Sequence, residues 1–377
     1  MAEINGSCDA RFTAVRDAFV GNFDRGLDVG ASVCVTLDGE PVVDLWGGTI
    51  DAAGEIPWER DTITNVWSTT KTMTNLCALL LADHGEIDLH APVARYWPEF
   101  AAGGKSAVEV RHLLAHTAGL SGWTEQMKPE DLYDWELATE RLAQQEPWWE
   151  PGSASGYHAI TQGYLVGEVI RRVTGTSVGS FFAKELAGPR GADFHIGLAP
   201  EHDSRVAAVI PPPPLPLEGI EPTSIPIRTL ANPPLSAEQS WEAGWRRAEI
   251  PAAGGHGNAR SVAAVQSVLA CGGEVNCHRF MSPRGCEAVF EEQSHGTDLV
   301  LGVPLRFGMG YGLISEDTPL STNTRSCFWG GWGGSVVVVD QENRMVISYM
   351  MNRMGEGTIG DERGVGIIFA AYGALEG

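Results

Sequence analysis

The sequence predicts an α+β fold in which one antiparallel sheet, flanked by helices, is interrupted by an inserted helical domain. Three observations carry this expectation. β-Rich runs gather at the two ends of the chain, and the middle is mostly helical or irregular. Isolated two-stranded hairpins are marginal in water, so hairpins at the two ends are expected to share one sheet. The expected division is a discontinuous sheet domain over 1–85 and 250–377 and a helical domain over 86–249.

The elements follow in order. Phe12, Val15, Ala18, Phe19 and Phe23 give an amphipathic helix over 8–25. Runs at 31–37 and 41–46 flank Asp38-Gly39, a dipeptide that favours a tight hairpin turn. Over 68–84, Met73, Leu76, Cys77, Leu80 and Leu81 recur at helical spacing, and Gly85 is the stop. Further helices are expected over 107–116, 131–145, 159–174, 178–186 and 261–271. A strand-like run at 306–314 precedes a second hairpin, 335–339 with 344–351, and a helix over 364–375 closes the chain. Residues 210–235 contain Pro211-Pro212-Pro213-Pro214 and four further prolines after Pro216. That stretch reads either as a stiff polyproline connection or as a loop bordering an active site.

At 377 residues, with 43% hydrophobic and 20% charged residues, the chain can bury a substantial core. Its formal charge of −22 argues against nucleic acid or an anionic membrane surface as partner. The N-terminal stretch has no basic region followed by an apolar run, so no secretory signal is expected there. No window approaches a membrane span. Seven cysteines without C-x-x-C pairs read as free thiols, and the expected location is cytoplasmic. The ten histidines are scattered without metal-ligand spacing, and no phosphate loop occurs, so neither a metal nor an organic cofactor is expected.

The chemistry centres on Ser68 and Lys71. Three residues apart on a helix, they share a face, and Ser68 sits at the N-terminus where N–H groups favour developing negative charge. A serine hydroxyl needs a base to become a nucleophile, and an amine of lowered pKa can serve. There are four lysines in the chain, and the one S-x-x-K opens its most apolar helix. A competing serine lies in Gly175-Thr176-Ser177-Val178-Gly179, which fits G-x-S-x-G. That motif works on a strand-to-helix turn, whereas here it follows a helix, so Ser177 is read as an N-cap.

Two other stretches supply partners. Tyr157 follows Pro151-Gly152 in a loop of small residues, and a tyrosine can shuttle the serine proton if cationic neighbours favour its phenolate. Taken alone, it reads first as a buried aromatic. Phe328-Trp329-Gly330-Gly331-Trp332-Gly333-Gly334-Ser335 places four glycines at the start of a strand. Such an edge strand would let a ligand approach closely and take a backbone N–H; a bulged strand is the alternative.

Together these stretches resemble the serine β-lactamase and penicillin-binding-protein superfamily, specifically its class C-like branch with the family VIII carboxylesterases. The resemblance runs from about residue 31 to 352. It rests on Ser68-Thr69-Thr70-Lys71, Leu113-Leu114-Ala115-His116-Thr117-Ala118-Gly119-Leu120, Pro151-Gly152 before Tyr157, and the Gly-rich strand followed by Asn352-Arg353-Met354. It implies a β-lactamase/DD-peptidase-like fold with the site between its two parts. Ser68 would be the acylated nucleophile, Lys71 its base or relay, and Tyr157 a general base and acid. The backbone N–H groups of Ser68 and Trp332 would form the oxyanion hole.

Two departures from the class C pattern bear on substrate. The Tyr-x-Asn asparagine is Ala159 here, and Lys-Thr-Gly is Trp329-Gly330-Gly331. Replacing a cation and an amide by apolar groups implies a small neutral ester as substrate, bound by Trp329, Gly330, Gly331 and Trp149. The alternatives are a β-lactamase or D-aminopeptidase-like amide hydrolase using Arg228, Arg246 or His256, and a non-catalytic binding protein.

Overall fold

The computed structural model describes residues 2–213 and 221–376. Its main sheet has nine antiparallel strands: β1 Ile4–Cys8, β2 Gly30–Leu37, β3 Glu40–Gly48, β4 Ser294–Thr297, β5 Pro304–Phe307, β6 Gly312–Leu313, β7 Ser326–Gly330, β8 Val336–Asp340 and β9 Met345–Met351. Their spatial order is β1-β3-β2-β9-β8-β7-β6-β5-β4. The hairpins of the two chain ends meet at β2 and β9, with Val35 opposite Ile347 and Val33 opposite Tyr349. That seam is the shared sheet the sequence predicts.

Strands β2, β8 and β9 are buried nearly throughout, which is why they read as continuous apolar runs rather than alternating ones. Adjacent residues on β9 point to opposite faces. Ser348 Oγ donates to the Ala259 carbonyl (2.6 Å), against the helix Ala259–Ala270. Tyr349 Oη donates to buried Asp28 (2.6 Å), beside the C-terminal helix Glu362–Glu376. The sheet is thus covered on both faces, and the helix Thr13–Asp24 packs on the C-terminal helix.

The helical layer centres on Thr70–Asp83, whose residues are buried from Thr70 through Leu81. It packs against Thr161–Thr174, which in turn packs against Trp135–Gln144. One hydrophobic core runs through both layers. A small second sheet joins Ile63–Asn65 and Gly255–Gly257, from the ends of the chain, to His195–Ile196 and Val206–Ala207, from its middle.

Several elements depart from expectation. Strand β1 carries Ile4 and otherwise polar or small residues on an exposed edge, so no apolar alternation announces it. The run at 306–314 divides into β5 and β6 around a turn at Gly308–Tyr311. The glycines end β7 and lead into β8, and both strands lie inside the sheet rather than at its edge. Of the proline-rich stretch, 214–220 lies outside the described residues. The remainder contains a helix, Ile225–Leu230, begun by a proline in its first turn. No helix among the described residues is long and apolar enough to cross a membrane.

Arg363 ties this frame to the glycine turn after β7. Its guanidinium donates to Asp28 (2.9 Å) and Asp361 (2.6 Å), and to the carbonyls of Gly333 (2.6 Å) and Arg353 (2.8 Å). Both Arg363 and Asp28 are buried. Replacing Arg363 by Met should strand the Asp28 carboxylate and cost about 3–5 kcal/mol of stability. Urea unfolding measures this; a loss below about 1 kcal/mol would show that the network does not hold the fold.

Candidate active site

Ser68 lies in a 3-10 turn, Trp67–Thr69, that runs directly into the helix Thr70–Asp83. The preceding Trp67 has φ +49°, a left-handed conformation that a bulky residue adopts only when its surroundings impose it. Here they do. The Val66 N–H donates to Gly255 O (2.9 Å), Ser335 Oγ donates to Val66 O (3.1 Å), and Thr70 Oγ1 donates to Trp67 O (2.6 Å). The Gly255 N–H then donates to Thr70 Oγ1 (2.9 Å). The turn is held from both flanking chain segments.

Lys71 is 1% exposed and faces no carboxylate. Its Nζ lies 3.1 Å from Ser68 Oγ, 3.0 Å from Tyr157 Oη, 2.6 Å from Ala159 O and 3.0 Å from Ala252 O. Burial holds its amine well below the ordinary lysine range. A neutral amine has two N–H groups and one lone pair. In that form, N–H groups on the Ala159 and Ala252 carbonyls would leave the lone pair toward the Ser68 and Tyr157 hydroxyls.

Tyr157 Oη is 2.5 Å from Ser68 Oγ, so serine, lysine and tyrosine meet within one hydrogen-bonded triangle. Among the described residues, Lys71 is the one basic side chain at the Tyr157 hydroxyl that could support a phenolate (3.0 Å). Burial pushes the Tyr157 phenol up, only partly offset by contacts to Ser68 and Trp329. The histidines beside it are neutral as well: burial lowers His116 well below the usual range and His158 to about 3. His116 Nδ1 accepts from the His158 N–H (3.1 Å), and its ring lies 5.1 Å from that of Tyr157.

A pocket of about 90 Å³ opens on Ser68, lined by Trp67, Tyr157, Ala159, Ile160, Leu235, Ala253, Trp332 and Thr358. Leu235 brings the end of the proline-rich stretch to the site. Among the described residues, neither the Ser68 nor the Trp332 backbone N–H has an acceptor.

Trp149, Trp329, Gly330 and Gly331, the residues expected to bind substrate, do not line this pocket. Trp329 is 1% exposed and does not line the pocket. It packs behind Tyr157 (ring centroids 5.5 Å), stacked on His116 (5.8 Å) and against Phe307 (5.4 Å). A side chain on β7 points inward here because Leu305, Phe307 and Val300 supply an apolar cluster for it. The glycines are needed for contact with the chain itself. A Cβ on Gly331 would lie 2.4 Å from Val66 O and 3.2 Å from Ser68 N, and one on Gly330 would strike Ile359 and Gly360. Trp149 braces the Tyr157 loop through Gly156 and His158, with Nε1 donating to Ala154 O (3.0 Å).

The cations offered for an anionic substrate also lie elsewhere. Arg228 stacks on Trp148 at 3.8 Å, Arg246 pairs with Asp203 (3.0 Å), and buried His256 is held neutral with its titration pushed down to about 3. None lines the pocket. Ser177 caps Val178–Phe182 and donates to Glu249 (2.6 Å), following the left-handed Gly175 that ends the preceding helix. It has no strand before it and no histidine on it. Among the described residues no three metal-ligating side chains converge.

Sequence reasoning missed three contributors. The strained Trp67 depends on contacts distant in sequence. The carbonyls of Ala159 and Ala252 act through the backbone and leave no mark in side-chain identity. Asp298, whose Oδ1 accepts from the Tyr157 N–H (3.0 Å), sits 141 residues further on in an unremarkable loop.

The beta-lactamase family model matches residues 19–371. An esterase/beta-lactamase, LipL, of Mycobacterium tuberculosis is 36% identical over 93% of this chain and 83% of its own length. A crystal structure of a family VIII carboxylesterase superposes with a TM-score of 0.94 at 43% identity, covering 99% of this chain and 100% of its own. A penicillin-binding protein homologue from Caulobacter crescentus superposes with a TM-score of 0.91 at 36% identity, over 99% and 100% of the two chains. The chain belongs to the beta-lactamase family and is a serine hydrolase.

Proposed function

We propose that the protein is a carboxylesterase that hydrolyses small neutral esters through an acyl-enzyme on Ser68. The observation that carries this reading is the meeting of Ser68, buried Lys71 and Tyr157 at a pocket whose lining has no charged side chain. Relatives named as an esterase/beta-lactamase and as a carboxylesterase support ester hydrolysis. Seven unpaired cysteines fit a reducing, cytoplasmic setting.

In this reading the neutral Lys71 amine takes the Ser68 proton as Oγ bonds to the ester carbonyl carbon. The carbonyl π pair moves onto oxygen, where the N–H groups of Ser68 and Trp332 stabilise it. Collapse of that intermediate breaks the bond to the alcohol oxygen. The departing alkoxide takes the Tyr157 proton, and the Lys71 ammonium restores it. Water then attacks the acyl carbon, its proton passes to the same pair, and Ser68 leaves reprotonated. No group outside the triangle is needed to balance the protons.

Pocket size and polarity define the substrate further. A cavity of roughly 150 Å³ accepts benzene, so about 90 Å³ suits a short acyl chain. A carboxylate placed there would be desolvated without a cationic partner.

Ser68→Ala should abolish ester turnover, and Ser177→Ala should leave it intact. After treatment with a phosphonate, mass spectrometry should find the adduct on Ser68. Full activity in the Ser68 variant would end the reading, and a single burst without further product would favour a non-catalytic binder.

A neutral diester such as diethyl succinate should exceed its anionic monoethyl ester in kcat/KM by about tenfold or more, since an unpaired buried anion costs about 1–3 kcal/mol. A cephalosporin carboxylate should be disfavoured for the same reason. Equal kcat/KM for the diester and the monoester would mean that a cation reaches the site, which would favour amide or β-lactam hydrolysis.

A further inference from the structure

We propose that Asp298 is a positioning residue for Tyr157, clamping its backbone so that the phenol stays against Ser68 Oγ. The inference rests on the reading of Tyr157 as the proton carrier. Asp298 is buried in the loop between β4 and β5. Its Oδ1 accepts three backbone N–H groups at once: Tyr157 (3.0 Å), Val300 (2.9 Å) and Leu301 (2.9 Å). Two belong to its own loop and shape it, while the third is the tyrosine's. The Leu299 N–H adds a parallel tie to Ser155 O (2.9 Å). One loop of the main sheet thereby fixes the segment that carries the phenol.

The second carboxylate oxygen gives the arrangement its electrostatic content. Oδ2 is buried and has no hydrogen-bond partner among the described residues, and no cation pairs with Asp298. Asparagine would make the same Oδ1 contacts and leave a polar atom unpaired in the same place, so what distinguishes aspartate here is its charge. What the carboxylate adds is negative charge beside a phenol, which resists phenolate formation. The other titratable groups around Tyr157 are Lys71, His116 and His158, all driven toward their neutral forms by burial. Asp298 is therefore an acidic side chain held against the Tyr157 backbone, where a negative charge would add to burial in keeping the phenol protonated and able to donate to a leaving alkoxide.

The test compares Asp298→Ala, Asp298→Asn and Tyr157→Phe with wild type, using ethyl butyrate and p-nitrophenyl butyrate across pH 6 to 10. An ethoxide leaving group needs a proton and p-nitrophenolate does not. Asp298→Ala should lower kcat/KM by about tenfold or more for the ethyl ester and distinctly less for the nitrophenyl ester. Asp298→Asn keeps the Oδ1 acceptor and should recover much of that loss at neutral pH. Its alkaline limb should move to lower pH, because removing the negative charge lets the phenol deprotonate sooner. Wild-type rates and an unshifted alkaline limb in Asp298→Asn, with Tyr157→Phe inactive, would overturn the proposal while leaving the esterase reading in place. Equal losses on both esters without a pH shift would reduce Asp298 to a merely structural part and overturn it too. An active Tyr157→Phe would overturn the proton-carrier reading and this inference with it. If Asp298→Ala does not fold, the Asp298→Asn pH profile alone decides.

Discussion

Everything at the site depends on a lysine buried without a carboxylate. Taking an ammonium out of water is expensive, and the usual compensation is an ion pair. Lys71 has none; it has two backbone carbonyls and two hydroxyls. The arrangement solvates the amine well enough to fold while leaving its charged form disfavoured. Lys105 makes an instructive contrast. It is also buried and donates to the carbonyls of Ala102 (2.8 Å) and Ala143 (3.0 Å), and its titration is pulled down to about 8. Those carbonyls lie in a turn and at the end of the helix Trp135–Gln144, with no hydroxyl nearby to accept or give a proton. Burial lowers both lysines, and only Lys71 has hydroxyls, those of Ser68 and Tyr157, among its hydrogen-bond partners.

The surrounding structure serves to keep those neighbours in place. Trp329, His116 and Phe307 back the Tyr157 ring, and Asp298 holds its backbone. The glycines after β7 let that strand end lie against Val66 and Ser68, with Ser335 tied to the same turn. Arg363 reaches the Gly333 carbonyl from the C-terminal helix, so the packing of the sheet extends to the turn that carries Trp332. Close packing of this kind leaves a small pocket whose lining carries no charged side chain.

Much of this was legible in the residues. The Asp38-Gly39 turn, the valine run of β8 and the 3.6-residue spacing from Met73 to Leu81 each appear where sequence reasoning puts them. The S-x-x-K spacing brings Ser68 and Lys71 together because a helical turn is a local property. Tyr157 joins them across 86 residues, which no local pattern encodes. Trp329 was misread because its position in the motif says where the backbone runs and not which way the indole turns. The inward orientation follows from an apolar cluster assembled by β5 and the 298–303 loop. The ionisation of Tyr157 is illegible in the sequence for a related reason: burial is a property of the whole fold, and here it acts on lysine, tyrosine and histidine together.

The central claim is that Lys71 stands uncharged beside Ser68 in the resting protein. Nitrogen-15 NMR of lysine-labelled protein, with Lys71 assigned through Lys71→Arg, reads its charge directly across pH 6 to 11. Because burial lowers the folded-state titration, the amine should lose its proton well below the ordinary lysine range as pH rises, and regain it only as pH falls. A Lys71 signal that stays ammonium until about pH 10 would contradict the account.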